Sequence, residues 1–248
     1  AGANSAVNGA LTNTGTIQIP GAFGTTTTLT VATGFVNQGL IDIQNNVNGF
    51  GSALNVSAGT LTNAALATIR SSGPSGGGNT LNAQLTNNGT LDVQRPLTIP
   101  NTGRTLDSST GTLNIAAGNT LTVDGGTTKL GGATGFGTGT GTLNLAGTSP
   151  VLDIVSNLTM PTGVTWNLSG TTPTLDSSAV SAVSFTVPSV DTLNLTGATV
   201  TNKVNVTNQG TLNLSTVTVN GALANSGALN IAAGANSAVN GALTNTGT

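Results

Sequence analysis

Apolar and polar residues alternate in short bursts along this chain, and one burst keeps returning. It reads GTIQI from Gly15, GLIDI from Gly39, ALATI from Ala65, GTLDV from Gly89 and GTLNI from Gly111. It continues as GTLNL from Gly141, VTWNL from Val164, DTLNL from Asp191, GTLNL from Gly210 and GALNI from Gly227. A period of two sends successive side chains to opposite faces of a strand. The third letters are all apolar: Ile17, Ile41, Ala67, Leu91, Leu113, Leu143, Trp166, Leu193, Leu212 and Leu229. So are the fifth: Ile19, Ile43, Ile69, Val93, Ile115, Leu145, Leu168, Leu195, Leu214 and Ile231. The letter between them is polar in every copy: Gln18, Asp42, Thr68, Asp92, Asn114, Asn144, Asn167, Asn194, Asn213 and Asn230. The pattern predicts one strand per copy with two inward side chains and an outward polar residue between them.

The copies follow one another at steps of 24, 26, 24, 22, 30, 23, 27, 19 and 17 residues. Many are preceded by a turn tag of the form Asn-x-Gly, which supplies a row of asparagines: Asn13, Asn37, Asn63, Asn87, Asn208, Asn225 and Asn245. Asn and Gly both tolerate positive φ, and an Asn side chain can bond nearby backbone. One turn read over Gly227–Thr246 holds three short strands, Ala228–Ile231, Ser237–Asn240 and Ala242–Thr244, separated by bends. Such a turn cannot bury its apolar face alone; stacking on its neighbours supplies the core. The expected fold is therefore all-β, a single-chain parallel β-helix (β-solenoid) of about ten coils of roughly 23 residues. The crossover rule makes it right-handed. At strand spacing ten coils rise roughly 48 Å. Two longer stretches, Ser71–Thr80 and Gly131–Gly141, are expected to bulge from the cylinder.

The chain also ends on the words with which it begins. Ala1–Thr16 and Ala233–Thr248 are the same sixteen residues, offset by 232. The expectation is one continuous solenoid over 1–248: a 232-residue unit plus a sixteen-residue overlap, open at both ends. In a tandem parent chain Thr248 would be followed by Ile-Gln-Ile. An uncapped coil edge invites a second copy. A head-to-tail contact of that kind does not close, and it builds filaments.

Composition narrows the function. Charged residues are 5% and aromatics 2%; His, Cys, Tyr and Glu are absent. Plentiful Val, Ile and Thr suit a pleated surface and argue against disorder. A net charge of −2 offers no basic footprint, so nucleic acid is not an expected partner. No run of about 18 apolar residues occurs, so no membrane insertion is expected. Without Cys there are neither disulfides nor thiolate metal sites.

The phrases LTNxGTLN(I/L) and the AAG bends resemble secreted bacterial β-solenoids, closest to autotransporter passengers and filamentous-haemagglutinin-like surface adhesins. The resemblance covers nearly the whole chain. It implies export, display at the cell surface or in the extracellular space, and a part in adhesion, biofilm matrix or fibre building. None of the family's active residues maps onto this sequence.

Candidate chemistry is sparse. The seven acidic residues are Asp42, Asp92, Asp107, Asp124, Asp153, Asp176 and Asp191. Asp42 and Asp92 share the outward column with Thr68 between them, which places them roughly 10 Å apart. That is too wide for a retaining glycosidase pair and marginal for an inverting one. Calcium needs more carboxylates per turn than one Asp per coil supplies. No catalytic residue, metal ligand or cofactor site is therefore expected. The stacked outward amides form an expected polar ladder, as in cross-β assemblies, and the turn asparagines a second, incomplete one. The expected role is a structural block of a secreted fibre or giant adhesin. Its partner is its own kind, stacked end to end, with neighbouring fibres or surface glycans as further candidates. Two alternatives stand beside it: an ice- or surface-binding solenoid, for which no sustained threonine column is evident in the sequence, and a polysaccharide-acting enzyme.

Overall fold

Strands too short to stand alone become stable here by lying on copies of themselves. The computed structural model describes residues 4–45, 50–74 and 77–248. These residues form thirty-one strands and no helix. Ladders between strands are parallel throughout, as in Val7 beside Val31, Leu91 beside Leu113 and Leu212 beside Leu229. The molecule is a three-sided β-solenoid. Each coil contributes one strand to each face, and among the described residues each face is eleven strands deep.

The first face rises from Asn4–Val7 to Ala228–Ile231. The second rises from Thr12–Asn13 to Ala238–Val239. Two long strands, Ser52–Asn63 and Asn79–Asn87, run round the corner between these faces and join them into one twenty-stranded sheet. The third face is split. Its lower part runs from Thr16–Pro20 to Gly135–Phe136, and its upper part from Leu158–Thr159 to Leu243–Asn245.

Inside, the apolar columns make a single core that reaches from Ile19 to Leu223. Leu54, Leu81, Leu121 and Leu193 of the first face are wholly buried, as are Leu61, Leu106 and Leu175 of the second. Burying a side chain of this size contributes about 1.5–3 kcal/mol. The core thins at the two ends, where Val7, Leu11, Leu229 and Val239 are partly buried, and in the middle at Ile115, Phe136 and Ala179.

Three details differ from the sequence expectation. The first is register. Asp42 lies beside Arg70, not Thr68, and Arg70 lies beside Asp92. The inward pair of that coil is therefore Ile69 and Ser71, and Ala67 sits in the preceding turn. Ser71 is fully buried yet satisfied: its hydroxyl donates to the Arg95 carbonyl at 2.9 Å and accepts from Asn79 at 3.0 Å. Two polar bonds replace the apolar contact that the phrase predicts.

The second concerns the column itself. The ten phrases do not form one stack. Those at Gly15, Gly39, Ala65, Gly89 and Gly111 lie on the third face. Those at Gly141, Val164, Asp191, Gly210 and Gly227 lie on the first. The strand beneath the Gly141 phrase is Thr120–Asp124, with Leu121 beside Leu143 and Val123 beside Leu145. The 30-residue step is therefore a full coil plus the passage from one face to the next.

The third is the fate of Gly131–Gly141. This stretch does not bulge. Gly135–Phe136 pairs with Thr112 and Leu113, and the amides of Gly137 and Gly141 donate to the carbonyls of Leu113 and Ile115 at 3.0 and 2.9 Å. Glycine is required because a Cβ at Gly137 or Gly139 would collide with Asn114 or with the Ile115 carbonyl. Above this stretch the third face breaks. Behind the break Trp166 lies between Phe136 and Phe185, with ring centroids 5.9 and 5.8 Å away. A cavity of about 20 Å³ remains beside Leu113, Leu143 and Trp166. Of the other expected bulge, residues 75 and 76 lie outside the described residues; Thr68–Ser72 and Asn79–Asn87 on either side are wall strands.

Candidate functional site: polar ladders on three faces

The turn asparagines are the most deeply built polar feature, and they too fall into two groups. Asn13, Asn37, Asn63 and Asn87 stack at the corner between the second and third faces. Each Nδ2 donates to the Oδ1 of the next coil, at 2.7 Å from Asn13, 2.8 Å from Asn37 and 2.8 Å from Asn63. The series ends on the Ser108 hydroxyl at 2.9 Å. Each amide also reaches backbone carbonyls; that of Asn63 takes Ala67 and Thr90 at 3.3 and 3.1 Å. Asn37, Asn63 and Asn87 are completely buried. The second group, Asn208, Asn225 and Asn245, repeats the geometry at the corner between the third and first faces. Its links are 2.6 and 2.7 Å, with the same polarity toward the C-terminal end.

Gly15, Gly39, Gly89, Gly210, Gly227 and Gly247 stand two residues after six of these asparagines, with Ala65 after Asn63, and none of the six has positive φ. All but Gly15 are needed for close approach. A Cβ on Gly39 would strike the Gly15 carbonyl, and one on Gly227 the Gly210 carbonyl. The left-handed glycines sit in the other bends, such as Gly118 and Gly234 of the AAG turns, at φ 73° and 74°.

The outward polar residues divide in the same way. On the third face the column runs Gln18, Asp42, Arg70, Asp92, Asn114. Arg70 grips Asp42 with both ends of its fork, Nη2 to Oδ2 at 2.6 Å and Nε to Oδ1 at 3.2 Å. Ser72 and Gln44 also donate to Asp42, at 2.6 and 2.7 Å. Burial alone would raise the Asp42 carboxyl. These hydrogen bonds and the Arg70 charge outweigh it and hold the carboxyl below the usual carboxylate range. Asp92 accepts from Asn114 and Gln94 at 2.7 and 2.8 Å. The pair considered for glycoside chemistry is thus separated by a guanidinium, and each member is held by donors. Gln18 donates to Gln44 at 3.0 Å and not to Asp42.

On the first face Asn144, Asn167, Asn194, Asn213 and Asn230 stand in register. Asn194, Asn213 and Asn230 each donate to the amide below, at 2.7, 2.6 and 2.8 Å. Beside them runs a threonine column that the sequence reading missed: Thr120, Thr142, Thr165, Thr192 and Thr211 on five successive coils. Four of the five are second letters of the phrase, and the Thr120 strand, which the phrase does not include, extends the column to a fifth coil.

On the second face Asp107, Lys129, Asp153 and Asp176 share one outward column. Asp153 accepts from the Ser178 amide at 2.7 Å and Asp176 from the Thr201 hydroxyl at 2.6 Å. Asp191 lies apart, buried at the corner before the first face. Its Oδ1 accepts from the amides of Gly163 and Val164, while Oδ2 has no partner. Burial pushes this carboxyl up in spite of the two amides. Among the described residues no three side chains of the His, Cys, Asp and Glu types come together as a metal would need.

The sixteen residues that occur twice occupy different places. Asn4–Val7 is a first-face strand, whereas Ala238–Val239, the second copy of Ala6–Val7, lies on the second face. Thr12–Asn13 lies on the second face, and its duplicate Thr244–Asn245 on the third. Over 232 residues the chain therefore winds ten coils and one face more. No protein-family profile, curated protein or solved structure matches this chain.

Proposed function

We propose that this chain is a structural repeat block of a secreted bacterial fibre or giant cell-surface adhesin. Its blocks stack end to end outside the cell, where they serve adhesion, matrix or filament formation. One observation carries the reading: identical sixteen-residue words lie at both ends, one face apart, so a second block can wind on from the first without a change of fold. The lowest and highest coils also lack charged side chains: neither 4–20 nor 228–248 contains one, the usual guard of a strand edge. The test is electron microscopy of the purified chain and of native material. Rods with an axial repeat near one block, roughly 50 Å at strand spacing, are expected. Short monomers at high concentration, or native material confined to the cell interior, would count against the reading.

The threonine column favours a second reading, a flat face for ice or another ordered surface. Thermal hysteresis that is lost on Thr165→Val with Thr192→Val would support it.

A further inference from the structure

The two copies of the sixteen-residue word set up a competition for one place. In this chain Ala233–Thr248 forms the last second-face and third-face strands, laid on Thr218–Val219 and Leu223–Asn225. Thr248, the duplicate of Thr16, already sits on the first face above Ala228. Its amide donates to the Gly227 carbonyl at 3.0 Å, and its carbonyl accepts from the Leu229 amide at 2.7 Å. That is where the strand Thr16–Pro20 of another copy would begin. We propose that two chains join by strand exchange: residues 4–16 of one chain displace 236–248 of the other, with the incoming chain turned by one face of the prism. This rests on the reading of the chain as an end-joining block.

The exchange keeps what it replaces. Asn4–Val7 has the sequence of Asn236–Val239 and makes the same contacts on the coil beneath; Thr12–Asn13 does the same for Thr244–Asn245. The amide ladder also continues. Asn13 takes the place of Asn245 as acceptor for Asn225, and its Nδ2 already donates upward to Asn37. The line of amides then runs unbroken from Asn208 of one chain to Asn87 of the next, with one polarity throughout.

The gain lies at the next strand. Thr16–Pro20 of the incoming chain comes to rest on Ala228–Ile231. Ile17 then covers Leu229, Gln18 lies on Asn230 and Ile19 covers Ile231, the register that Thr211–Ser215 uses from below. Ile231 is 52% exposed in the single chain, whereas Leu214 in the coil beneath is 1% exposed. The displaced segment is weakly held: most of residues 232–248 are exposed. Plain edge-on stacking without rotation fits less well. It would set Thr16–Pro20 over Leu243–Asn245 and end the upper amide ladder under an isoleucine strand.

The chain has no cysteine, so paired cysteines report the joint directly. Gln18 and Asn230 stand ten coils apart within one chain, roughly 48 Å, and a disulfide between them can only link two molecules. Gln18→Cys with Asn230→Cys is expected to yield a ladder of oxidised oligomers on a non-reducing gel. Oligomers from Gln18→Cys with Thr244→Cys alone would show unrotated stacking and overturn the exchange, as would no cross-link in either pair. A second arm uses opposite directions. Val239→Asp loosens the displaced copy and is expected to raise oligomer yield, whereas Val7→Asp in the incoming copy abolishes it, with circular dichroism unchanged in both. Loss of assembly in both variants would overturn the proposal. Rods seen without the Gln18–Asn230 link would sink the exchange and leave the fibre reading standing.

Discussion

Arg70 shows how a single residue can set the chemistry of a column. Its guanidinium compensates Asp42, whose side chain is 3% exposed, while that of Arg70 is 33% exposed. Replacing Arg70 with Met leaves a buried carboxylate with only neutral donors. Removing one partner of a fully buried pair costs about 3–5 kcal/mol, and partial exposure of the arginine lowers this to about 2 kcal/mol. The sign with pH follows from the depressed carboxyl. A folded-state pKa below the unfolded value of about 3.9 means that stabilisation is complete above that pH and lost as pH falls through the folded value. The gap between wild type and Arg70→Met in urea unfolding should therefore be largest at neutral pH and close as pH falls through the folded value. A gap independent of pH would assign the loss to packing of the arginine stem. The buried asparagines behave differently, because nothing there titrates. Asn63→Leu removes the donor to the buried Asn87 Oδ1 and the acceptor of Asn37 Nδ2 and should cost about 3 kcal/mol. Asn245→Leu at the exposed end of the other ladder should cost less than about 0.5 kcal/mol.

At the scale of elements the described residues show one seam. The third face is continuous up to Gly135–Phe136 and starts again at Leu158–Thr159, with no ladder between them. What bridges the seam is side-chain packing. Trp166 from the first face stands between Phe136 below and Phe185 above. Truncation to Trp166→Ala should cost about 3–5 kcal/mol, since the neighbouring backbone is fixed by its own ladders and cannot collapse into the void. The expected outcome in denaturant is an unfolding transition that splits, the lower and upper coils separating at the seam. A single unshifted transition would mean that the first two faces alone carry the coupling. The phrase changes face at the same level of the stack. Thr120–Asp124 is a strand of the same alternating type, so the passage from third to first face leaves no break in the apolar columns.

For the whole molecule the consequence is a screw that does not return to its starting face. Ten coils and one face separate the duplicated words, so each further block in an end-joined array presents its polar columns turned by one face. A rod built this way shows the carboxylate column of the second face and the threonine column of the first on all three sides in succession. Microscopy of assembled chains should therefore give an axial repeat near one block, with rotation by one third of a turn between blocks. An array with unrotated blocks would contradict the joint described above and would require edge-on contact instead.

Periodicity alone determined the class of fold, the inward apolar columns, the outward polar residues and the corner asparagines. Alternation with a period of two admits one sidedness for a strand against a core, and a recurring strand needs copies of itself to lie on. The sequence could not determine which face a strand joins, because Thr-Leu-Asn-Leu fits any wall of the prism equally well. The tertiary structure decided that: the number of residues spent at each corner carried the Gly141 phrase onto Thr120–Asp124. It likewise placed Arg70 beside Asp42 in preference to Thr68, since an ion pair and a buried, bonded Ser71 outweigh the apolar contact that the phrase alone would select.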